Sequence, residues 1–536
     1  MRTLLVILAI VAVGVASRIP AIFFDGELNP DESQMAAQAL RYLHDWVPWR
    51  SVDGTTSGPL NSWPLAALMA SGLHLNYSGL HLIAAIVLSV LVVSIWATAR
   101  TMASLAVSLL AVSAGLVWLT LAQGADFVHY SSELIPALLN SAGVGLIAFG
   151  LFNPKFRHHS WIASMVILGA CPWAKLQSVP IVLSVFCCLA AIVWFDDRSC
   201  TVRLRLVEIV RLLGGLASWT ALMCAMLLCT GAFRDFWTSY IVRNLGYATD
   251  ASYRKPGVSK LSASLRILEG SPMAYLIIGT AIFVGAWLLL RMPGWRESRK
   301  ENRIMFWVCV AQLAGAFAAV LGPTTSFPHY SILLFQPLVL LSVVVLATWR
   351  NGSRASGAED SRGKKAALIY VISMVALPFA FAPQSLRLLE NLDARRNSPA
   401  VVFQQRLATR IKSLAPDARF LGVWGWNPGL CLLTGVPPAS RHATCAYLIE
   451  PHPLQDYYRH AFLTDFIESK PEVFVDALAP GCFTWTWTQA NRHESFPALK
   501  ELIDRDYVLK QNLRVIPFLD PVRLYLRRDL ALSRPP

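Results

Sequence analysis

Residues 24–64 read FDGELNPDESQMAAQALRYLHDWVPWRSVDGTTSGPLNSWP and form the first long polar segment after an apolar start. Asn29 is a good helix N-cap, and Pro30 suits the first helical position because its missing N–H is not needed there. Glu32 follows three residues after the cap, where it can reach back as in a capping box. The segment predicts a short helix in a loop, in which Asp31 and Glu32 either complement the helix N-terminus or belong to a functional site.

The composition is that of a membrane protein. Of the 536 residues, 55% are hydrophobic and 15% are charged, and the mean hydropathy is +0.48, whereas a soluble protein carries roughly a quarter charged residues. Apolar runs of about 20 residues, enough to cross the hydrocarbon core, recur along the chain. The net charge of +14 does not indicate nucleic acid, because much of the excess Lys and Arg lies in short loops between these runs.

We predict a polytopic α-helical membrane protein with about eleven transmembrane helices. The predicted spans cover residues 3–24, 80–99, 102–122, 135–152, 161–174, 178–195, 212–232, 273–292, 304–322, 331–349 and 366–383. The first run also resembles a signal peptide, but apolar sequence resumes after Arg18, which favours a retained span. Residues 64–75 are apolar but too short to span, and they predict a re-entrant or interfacial helix.

The distribution of Lys and Arg predicts a cytoplasmic N-terminus. With that orientation, the inside segments hold most of the Lys and Arg that precede the tail, as the positive-inside rule requires. Eleven spans then place the C-terminus outside and make residues 25–64 the first outside loop.

After residue 383 the composition becomes that of a soluble domain. Its predicted helices cover residues 401–414, 456–469 and 497–504, and its predicted strands cover residues 419–424, 472–477 and 523–526. This alternation indicates a small α/β domain. We therefore predict a transmembrane domain over residues 1–383 and a soluble α/β domain on the outer side over residues 384–536.

With this topology, the unusual polar residues gather on the outer side of the membrane. They are Asp31, Glu32, Asp126, Glu133, Lys175, Gln177, Arg243, Tyr247, His329 and Tyr330. Burying a lysine at membrane depth costs roughly 2.5–3.5 kcal/mol, so such a residue usually serves a site. Simpler interpretations exist for each: Lys175 could snorkel to the interface, Glu133 could cap the fourth span, and Arg243 could be a solvated loop charge. Their clustering on one side favours a site.

The residue types in this group suit one kind of chemistry. Carboxylates can act as a general base toward an acceptor hydroxyl. Cations and hydrogen-bond donors can stabilise a departing phosphate. A lipid phosphate at the outer membrane edge is a natural substrate for such a place, although these charges alone do not indicate a sugar.

Short motifs in a fixed order carry a family resemblance. The first span ends in Arg18-Ile-Pro, and Pro30-Asp31-Glu32 and Gly58-Pro59-Leu60 follow it. Further along come Glu133-Leu-Ile-Pro, Lys175-Leu-Gln-Ser-Val-Pro, Asn244-Leu-Gly-Tyr247 and His329-Tyr330. Over nearly the whole chain this order resembles the GT-C superfamily of membrane glycosyltransferases. Within it, the chain looks most like bacterial enzymes related to protein O-mannosyltransferases (dolichyl-phosphate-mannose-protein mannosyltransferase-like) and aminoarabinose transferases.

The resemblance implies a hexosyl- or pentosyltransferase of the bacterial inner membrane. Such an enzyme moves a sugar, with inversion, from a polyprenyl-phosphate donor to a glycan, lipid or protein acceptor on the periplasmic side. The role of catalytic base maps to Asp31, with Glu32 as its neighbour, and Glu133 or Asp126 fits a second acid. The implied donor-phosphate or substrate contacts are Lys175, Gln177, Arg243, Tyr247, His329 and Tyr330.

Two features of the family pattern are left open by this sequence. Relatives often carry Lys-Pro-Pro in the first loop, where this chain has Ser57-Gly58-Pro59, so Lys175 is the expected replacement for that phosphate contact. Some members use a divalent metal and others do not, and no ligand cluster in the sequence decides between them.

Two other classes of function compete with this interpretation. A transporter or flippase of a lipid-linked saccharide would explain the membrane spans, but many transporters show internal repeats and polar residues at the bilayer midplane, which this sequence does not. An outer-face glycan ligase or polymerase would also use lipid-linked donors, yet it would not need the Asp31 carboxylate.

Overall fold

The structure is a computed structural model that describes residues 2–195, 201–249, 272–290, 295, 298–323, 327–355, 359–379, 392, 394–484, 489–515 and 520–533. The chain forms two compact units. The first comprises Met1–Ala21, His81–Ala225 and Leu245–Glu390, and the second comprises Ile22–Leu80, Met226–Asn244 and Asn391–Pro536. The first outside loop therefore belongs to the same unit as the C-terminal tail. The predicted domain boundary at residue 383 lies outside the described residues and stays a prediction.

Helices dominate the chain up to residue 379. The longer ones are Arg2–Ala16, Pro30–Tyr42, Pro59–Ala70, Tyr77–Met102, Leu105–Leu121, Leu134–Phe152, Arg157–Ala174, Val179–Phe195, Val202–Cys229, Arg243–Thr249, Pro272–Leu289, Lys300–Leu321, Ile332–Ala355 and Glu359–Tyr370. Short α-helical turns are Ile19–Ile22, Ala125–Val128, Phe233–Asp235 and Leu377–Phe379, and π-helical segments are Phe236–Val242 and Val371–Ala376. Within the described residues, each of the eleven predicted spans falls on helical structure.

Seven helical segments of the described chain are long and apolar enough to cross a membrane. They are Tyr77–Met102, Leu134–Phe152, Leu176–Phe195, Val202–Cys229, Pro272–Leu289, Lys300–Leu321 and Pro328–Trp349. Two further apolar helices, Arg2–Ala16 and Leu105–Leu121, are shorter. The predicted class, a polytopic helical membrane protein, is confirmed, while the count of eleven spans stays a prediction.

The segment Pro328–Trp349 forms the centre of the first unit. Its apolar window is 100% buried, whereas that of Val202–Cys229 is only 22% buried, as expected for a helix that faces lipid. Some polar side chains pair between the helices, where lipid offers no hydrogen bonds. Gln312 Nε2 donates to Gln336 Oε1 at 2.6 Å, and the Tyr370 hydroxyl donates to the Ala111 carbonyl at 2.6 Å.

The second unit contains a four-stranded sheet. Its strands are β1 (Leu421–Trp424), β2 (Val473–Asp476), β3 (Tyr507–Leu513) and β4 (Val522–Arg527), in the order β1-β2-β4-β3. β1 and β2 are parallel, and β4 is antiparallel to both of its neighbours. The helices of the tail are Pro399–Leu414, Gly429–Thr434, Ala446–Ile449, Gln455–Ser469, Pro497–Asp506 and Arg528–Ser533. The predicted α/β class is confirmed, and β3 is the strand that the sequence did not reveal.

Both faces of this sheet are covered. One face packs Leu407, Val475 and Leu524 together with Ala37 from the helix Pro30–Tyr42. The other face packs a set of aromatic and aliphatic side chains that includes Phe466, Phe474 and Leu499. All four residues of β2, Asp476 included, are buried, and its three apolar residues therefore follow one another without alternation. The helix of the first outside loop is thus part of the core around the sheet.

Arg441 joins separate stretches of the second unit. Its guanidinium binds Asp465 through two hydrogen bonds, Nε to Oδ2 at 2.9 Å and Nη2 to Oδ1 at 2.8 Å. Its Nη1 donates to Asp235 Oδ2 and to the Trp49 carbonyl, both at 3.1 Å. The Arg441 carbonyl accepts the Asp53 N–H at 2.8 Å. One residue therefore holds the first loop, the segment around Asp235 and the helix Gln455–Ser469 together.

We expect Arg441→Met to destabilise the protein. The Asp465 and Asp235 side chains, 6% and 29% exposed, would lose their cation, and stranding a buried charge costs roughly 3–5 kcal/mol, less where it is partly exposed. The readout is the melting temperature of the purified protein in detergent. The matched control is Arg505→Met, which removes only the exposed Arg505–Asp506 pair and should leave the melting temperature unchanged. Equal shifts in both variants would contradict the role of Arg441.

Candidate functional site

In the first unit, a buried carboxylate and a buried lysine meet. Glu133 immediately precedes the helix Leu134–Phe152, and Lys175 lies in extended backbone between the helices Arg157–Ala174 and Val179–Phe195. The two residues are 0% and 3% exposed. Lys175 Nζ donates to a Glu133 carboxylate oxygen, and to Ser132 Oγ at 2.7 Å. It also lies 4.6 Å from the centre of the Tyr330 ring. The Lys175 side chain is therefore enclosed and does not snorkel.

Contact with Lys175 favours the charged form of the Glu133 carboxyl group. Burial alone would raise the pKa of Glu133, but the Lys175 ammonium outweighs burial, and the pKa is lowered. Glu133 occupies the N-cap position of its helix, yet its side chain makes no capping hydrogen bond. Its carboxylate instead holds the ammonium in place. An ammonium that is positioned in this way can bind a further anion.

A second polar pair, between a histidine and a carboxylate, lies in the same unit. His329 Nδ1 is 3.0 Å from Asp126 Oδ1, and His329 is 3% exposed while the Asp126 side chain is 31% exposed. The His329 ring stacks on Phe327, with an angle of 10° between the two planes. Burial would raise the pKa of Asp126, but the hydrogen bond from His329 lowers it overall. His329 is thus a buried, oriented side chain rather than an ordinary interfacial histidine.

Gln177 has a different position from its predicted partners. Its Nε2 donates to the Ala319 carbonyl at 2.7 Å and so fixes the short turn Leu176–Ser178 against the helix Lys300–Leu321. This contact supports the backbone next to Lys175. The structure therefore brings Glu133, Lys175 and Tyr330 together, shows His329 paired with Asp126, and gives Gln177 a supporting contact.

In the second unit, the helix Pro30–Tyr42 begins as the sequence predicts. Asn29 Oδ1 accepts the Asp31 N–H at 3.0 Å. Glu32 is completely buried, and its Oε1 accepts the Leu28 N–H at 2.7 Å, one residue before the N-cap. Asp31 is partly exposed. Of the two predicted catalytic acids in this loop, Glu32 is thus engaged in capping its own helix, and Asp31 is the one that is partly exposed.

Glu27 is a third carboxylate of this loop, and the sequence analysis missed it. Ser33 Oγ donates to Glu27 Oε2, the Tyr77 hydroxyl lies 3.5 Å from the same oxygen, and the two hydroxyls are 2.9 Å apart. Burial raises the pKa of Glu27 to about 7, with smaller contributions from the charges of Glu32 and Asp31. Because the folded-state pKa is raised, the contribution of Glu27 to stability is lost as the pH rises through about 7.

Arg243 lies in the second unit and is not a solvated loop charge. It is 5% exposed, and its guanidinium carbon lies 4.3 Å from the centre of the Tyr447 ring. The neighbouring Asn244 donates from Nδ2 to the carbonyls of Thr55 and Tyr240, each at 2.9 Å. Tyr247 falls in the helix Arg243–Thr249, but its side chain lies outside the described residues.

A cluster of possible metal ligands also occurs in the second unit. One ligand atom each of Asp476, His493 and Glu494 lies within 4.8 Å of the others. Arginines, however, already compensate the two carboxylates: Arg492 Nη1 is 3.4 Å from Asp476 Oδ1, and Arg523 pairs with Glu494. This cluster is better explained as an ion-pair network, and the metal dependence that the sequence left open stays open.

The fold defines a class: a polytopic membrane protein with a small mixed α/β domain. Two solved structures of ArnT from Cupriavidus metallidurans share it. The apo structure matches with a TM-score of 0.57 and 13% identity over 100% of both chains. The structure bound to undecaprenyl phosphate matches with a TM-score of 0.57 and 14% identity over 99% of both chains. The predicted fold is confirmed in that the chain shares the fold of these two structures.

A third solved structure matches with a lower TM-score. The apo form of the oligosaccharyltransferase from Archaeoglobus fulgidus matches with a TM-score of 0.47 and 10% identity, over 88% of this chain and 69% of that chain. No protein-family model and no curated protein sequence match the chain.

Proposed function

We propose that this protein is an integral membrane glycosyltransferase. It moves a hexosyl or pentosyl group from a polyprenyl-phosphate donor to an acceptor on the periplasmic side of the bacterial inner membrane. The N-terminus is cytoplasmic, and the tail after residue 383 is the periplasmic domain. The acceptor is a glycan, a lipid or a protein.

The observation that carries this proposal is the enclosed Lys175 ammonium within an ArnT-like fold. Glu133, Ser132 and Tyr330 orient it, and it is a cation of the kind that holds a phosphate leaving group. One of the ArnT structures is bound to undecaprenyl phosphate, a polyprenyl phosphate of the class that the proposed donor would release.

The proposed reaction is a single displacement. The oxygen of an acceptor hydroxyl attacks the anomeric carbon, and the bond between that carbon and the phosphate oxygen breaks, which inverts the configuration. Asp31 takes the hydroxyl proton as general base. Polyprenyl phosphate leaves as the anion, with Lys175, Arg243 and His329 as the proposed phosphate contacts. Glu133 acts by holding Lys175.

Transfer in membranes supplied with a panel of radiolabelled polyprenyl-phosphate sugars tests this function. Wild-type protein is expected to consume one donor and to release polyprenyl phosphate, and membranes without the protein should not. Movement of the intact donor across sealed vesicles, with no cleavage of any donor, would instead support a transporter or flippase and overturn the proposal.

A further inference from the structure

The second unit contains a partly open cavity of about 170 Å³, lined by both polar and apolar groups, which is an order of magnitude more than one water molecule needs. Its polar lining consists of carboxyl, hydroxyl and amide groups from Asp25, Glu27, Tyr77, Gln404, Gln405 and Asn427. The rest of the wall consists of three glycines and three apolar side chains, namely Gly26, Gly429, Gly481, Ala400, Val401 and Leu433. The first outside loop and the tail thus line one cavity together.

This cavity lies where α/β domains usually bind ligands. Asn427 and Gly429 follow the end of β1, and Gly481 follows the end of β2. These are the carboxyl ends of the two parallel strands, and the crevice outside such ends is the common ligand site of α/β sheets. The position of the cavity therefore indicates binding independently of its lining.

At Gly429 the backbone of the cavity wall lies close to the side chains of Tyr77 and Glu27. A Cβ on Gly429 would lie 2.6 Å from the Tyr77 hydroxyl and 3.1 Å from Glu27 Oε2. The Gln404 amide is held on both sides: its Nε2 donates to the Gly481 carbonyl at 2.9 Å, and its Oε1 accepts from Asn427 Nδ2 at 3.1 Å. The polar groups are thus fixed before any ligand enters.

The chemistry of the lining excludes a phosphate. Two carboxyl groups line the cavity, and none of its described lining residues is Lys or Arg. Amide and hydroxyl groups offer both donors and acceptors. A ligand hydroxyl, which also donates and accepts, matches them, whereas an ammonium has no acceptor to offer. The cavity suits a neutral ligand with several hydroxyl groups.

We propose that this cavity binds a neutral, hydroxyl-rich group of the acceptor, such as a saccharide, with Glu27 as its hydrogen-bonding anchor. The identification of the ligand as the acceptor rests on the proposed function, whereas the chemical class of the ligand follows from the cavity lining. Because the described lining residues include no Lys or Arg, the cavity does not suit the donor phosphate. Glu27 is therefore a binding residue that orients the acceptor, and Asp31 remains the proposed base.

The first test is ligand-dependent thermal stability of the full-length protein in detergent. The probes are methyl glucoside, methyl mannoside and methyl galactoside, compared with ethanolamine and inorganic phosphate. At least one glycoside is expected to raise the melting temperature of the wild type. This shift should be lost in Glu27→Gln and in Gly429→Ala, and retained in Glu501→Gln, which changes an exposed glutamate of the same unit. If Glu27→Gln does not fold, Gly429→Ala serves as the second variant for this measurement.

The second test uses transfer kinetics. Hydrogen bonds to charged groups contribute roughly 1.5–3 kcal/mol, so Glu27→Gln should raise the KM for the acceptor by about tenfold or more and leave the KM for the donor within about twofold. A purely structural role would lower the yield or the melting temperature without this split. An unchanged acceptor KM, or equal changes in both KM values, would overturn the proposal.

Failure of this inference can be told apart from failure of the proposed function. If no donor is cleaved but a glycoside still stabilises the wild type through Glu27, the cavity assignment stands and the transferase assignment falls. If no glycoside stabilises the wild type, or if ethanolamine or phosphate does so in its place, the cavity assignment is wrong.

Discussion

Asp31→Asn is expected to reduce sugar transfer by at least about 100-fold, because a positioned general base contributes roughly 10²–10⁴-fold. The variant should still fold. The Asn29 side chain caps the helix by accepting the backbone N–H of Asp31, and that contact does not involve the Asp31 carboxylate. Initial rates in membranes, with the donor that the panel identifies, measure the effect.

Asp45→Asn is the matched control for Asp31→Asn. Asp45 lies in the same loop, is ion-paired with Arg50 at 2.8 Å, and is exposed to a similar degree, with a side chain 31% exposed. Surface pairs of this kind contribute about 0–1 kcal/mol, so the rate should not change. If folded Asp31→Asn transfers sugar at the wild-type rate, then Asp31 is not the base, and the competing ligase interpretation, which has no need of this carboxylate, gains support.

Local pattern was enough to predict most elements of the fold. The run at 472–477 predicted β2 because Val473, Phe474 and Val475 are consecutive apolar residues, as in a strand buried on both faces. β3 was missed because only its two end residues are buried. Its sequence YVLKQNL leaves Leu509 and Lys510 exposed, and a register shift between Leu509 and Gln511 breaks the alternation. An exposed edge strand carries little hydrophobic signal.

The candidate site was harder to predict because its partners are distant in sequence. The sequence pointed to Glu133 and Lys175 singly, but their pairing across 42 residues became visible only in the structure. Glu27 was missed for the same reason, since its environment depends on Tyr77, 50 residues further along the chain. Arg243 and Tyr447 are further apart still. Unusual residue types can be recognised from sequence, whereas burial and pairing depend on the tertiary fold.

The other large effect is expected at the Glu133–Lys175 pair. Lys175→Met keeps an apolar side chain of similar length but leaves the Glu133 carboxylate, which is 0% exposed, without its cation. Stranding a buried charge costs roughly 3–5 kcal/mol, so the melting temperature should fall clearly. A drop in activity of this variant would therefore have two explanations, lost stability and lost phosphate binding.

A double-mutant cycle separates the two explanations. Lys175→Met combined with Glu133→Gln has no stranded charge and should regain most of the wild-type melting temperature. Its affinity for polyprenyl phosphate, measured by equilibrium binding so that no chemistry is required, should nevertheless stay at least about tenfold weaker, equivalent to about 1.4 kcal/mol. Glu133→Gln alone keeps the ammonium and removes a competing anion, so it should bind polyprenyl phosphate as tightly as the wild type or more tightly. If the double variant regains both stability and affinity, Lys175 has only a structural role and the phosphate lies elsewhere.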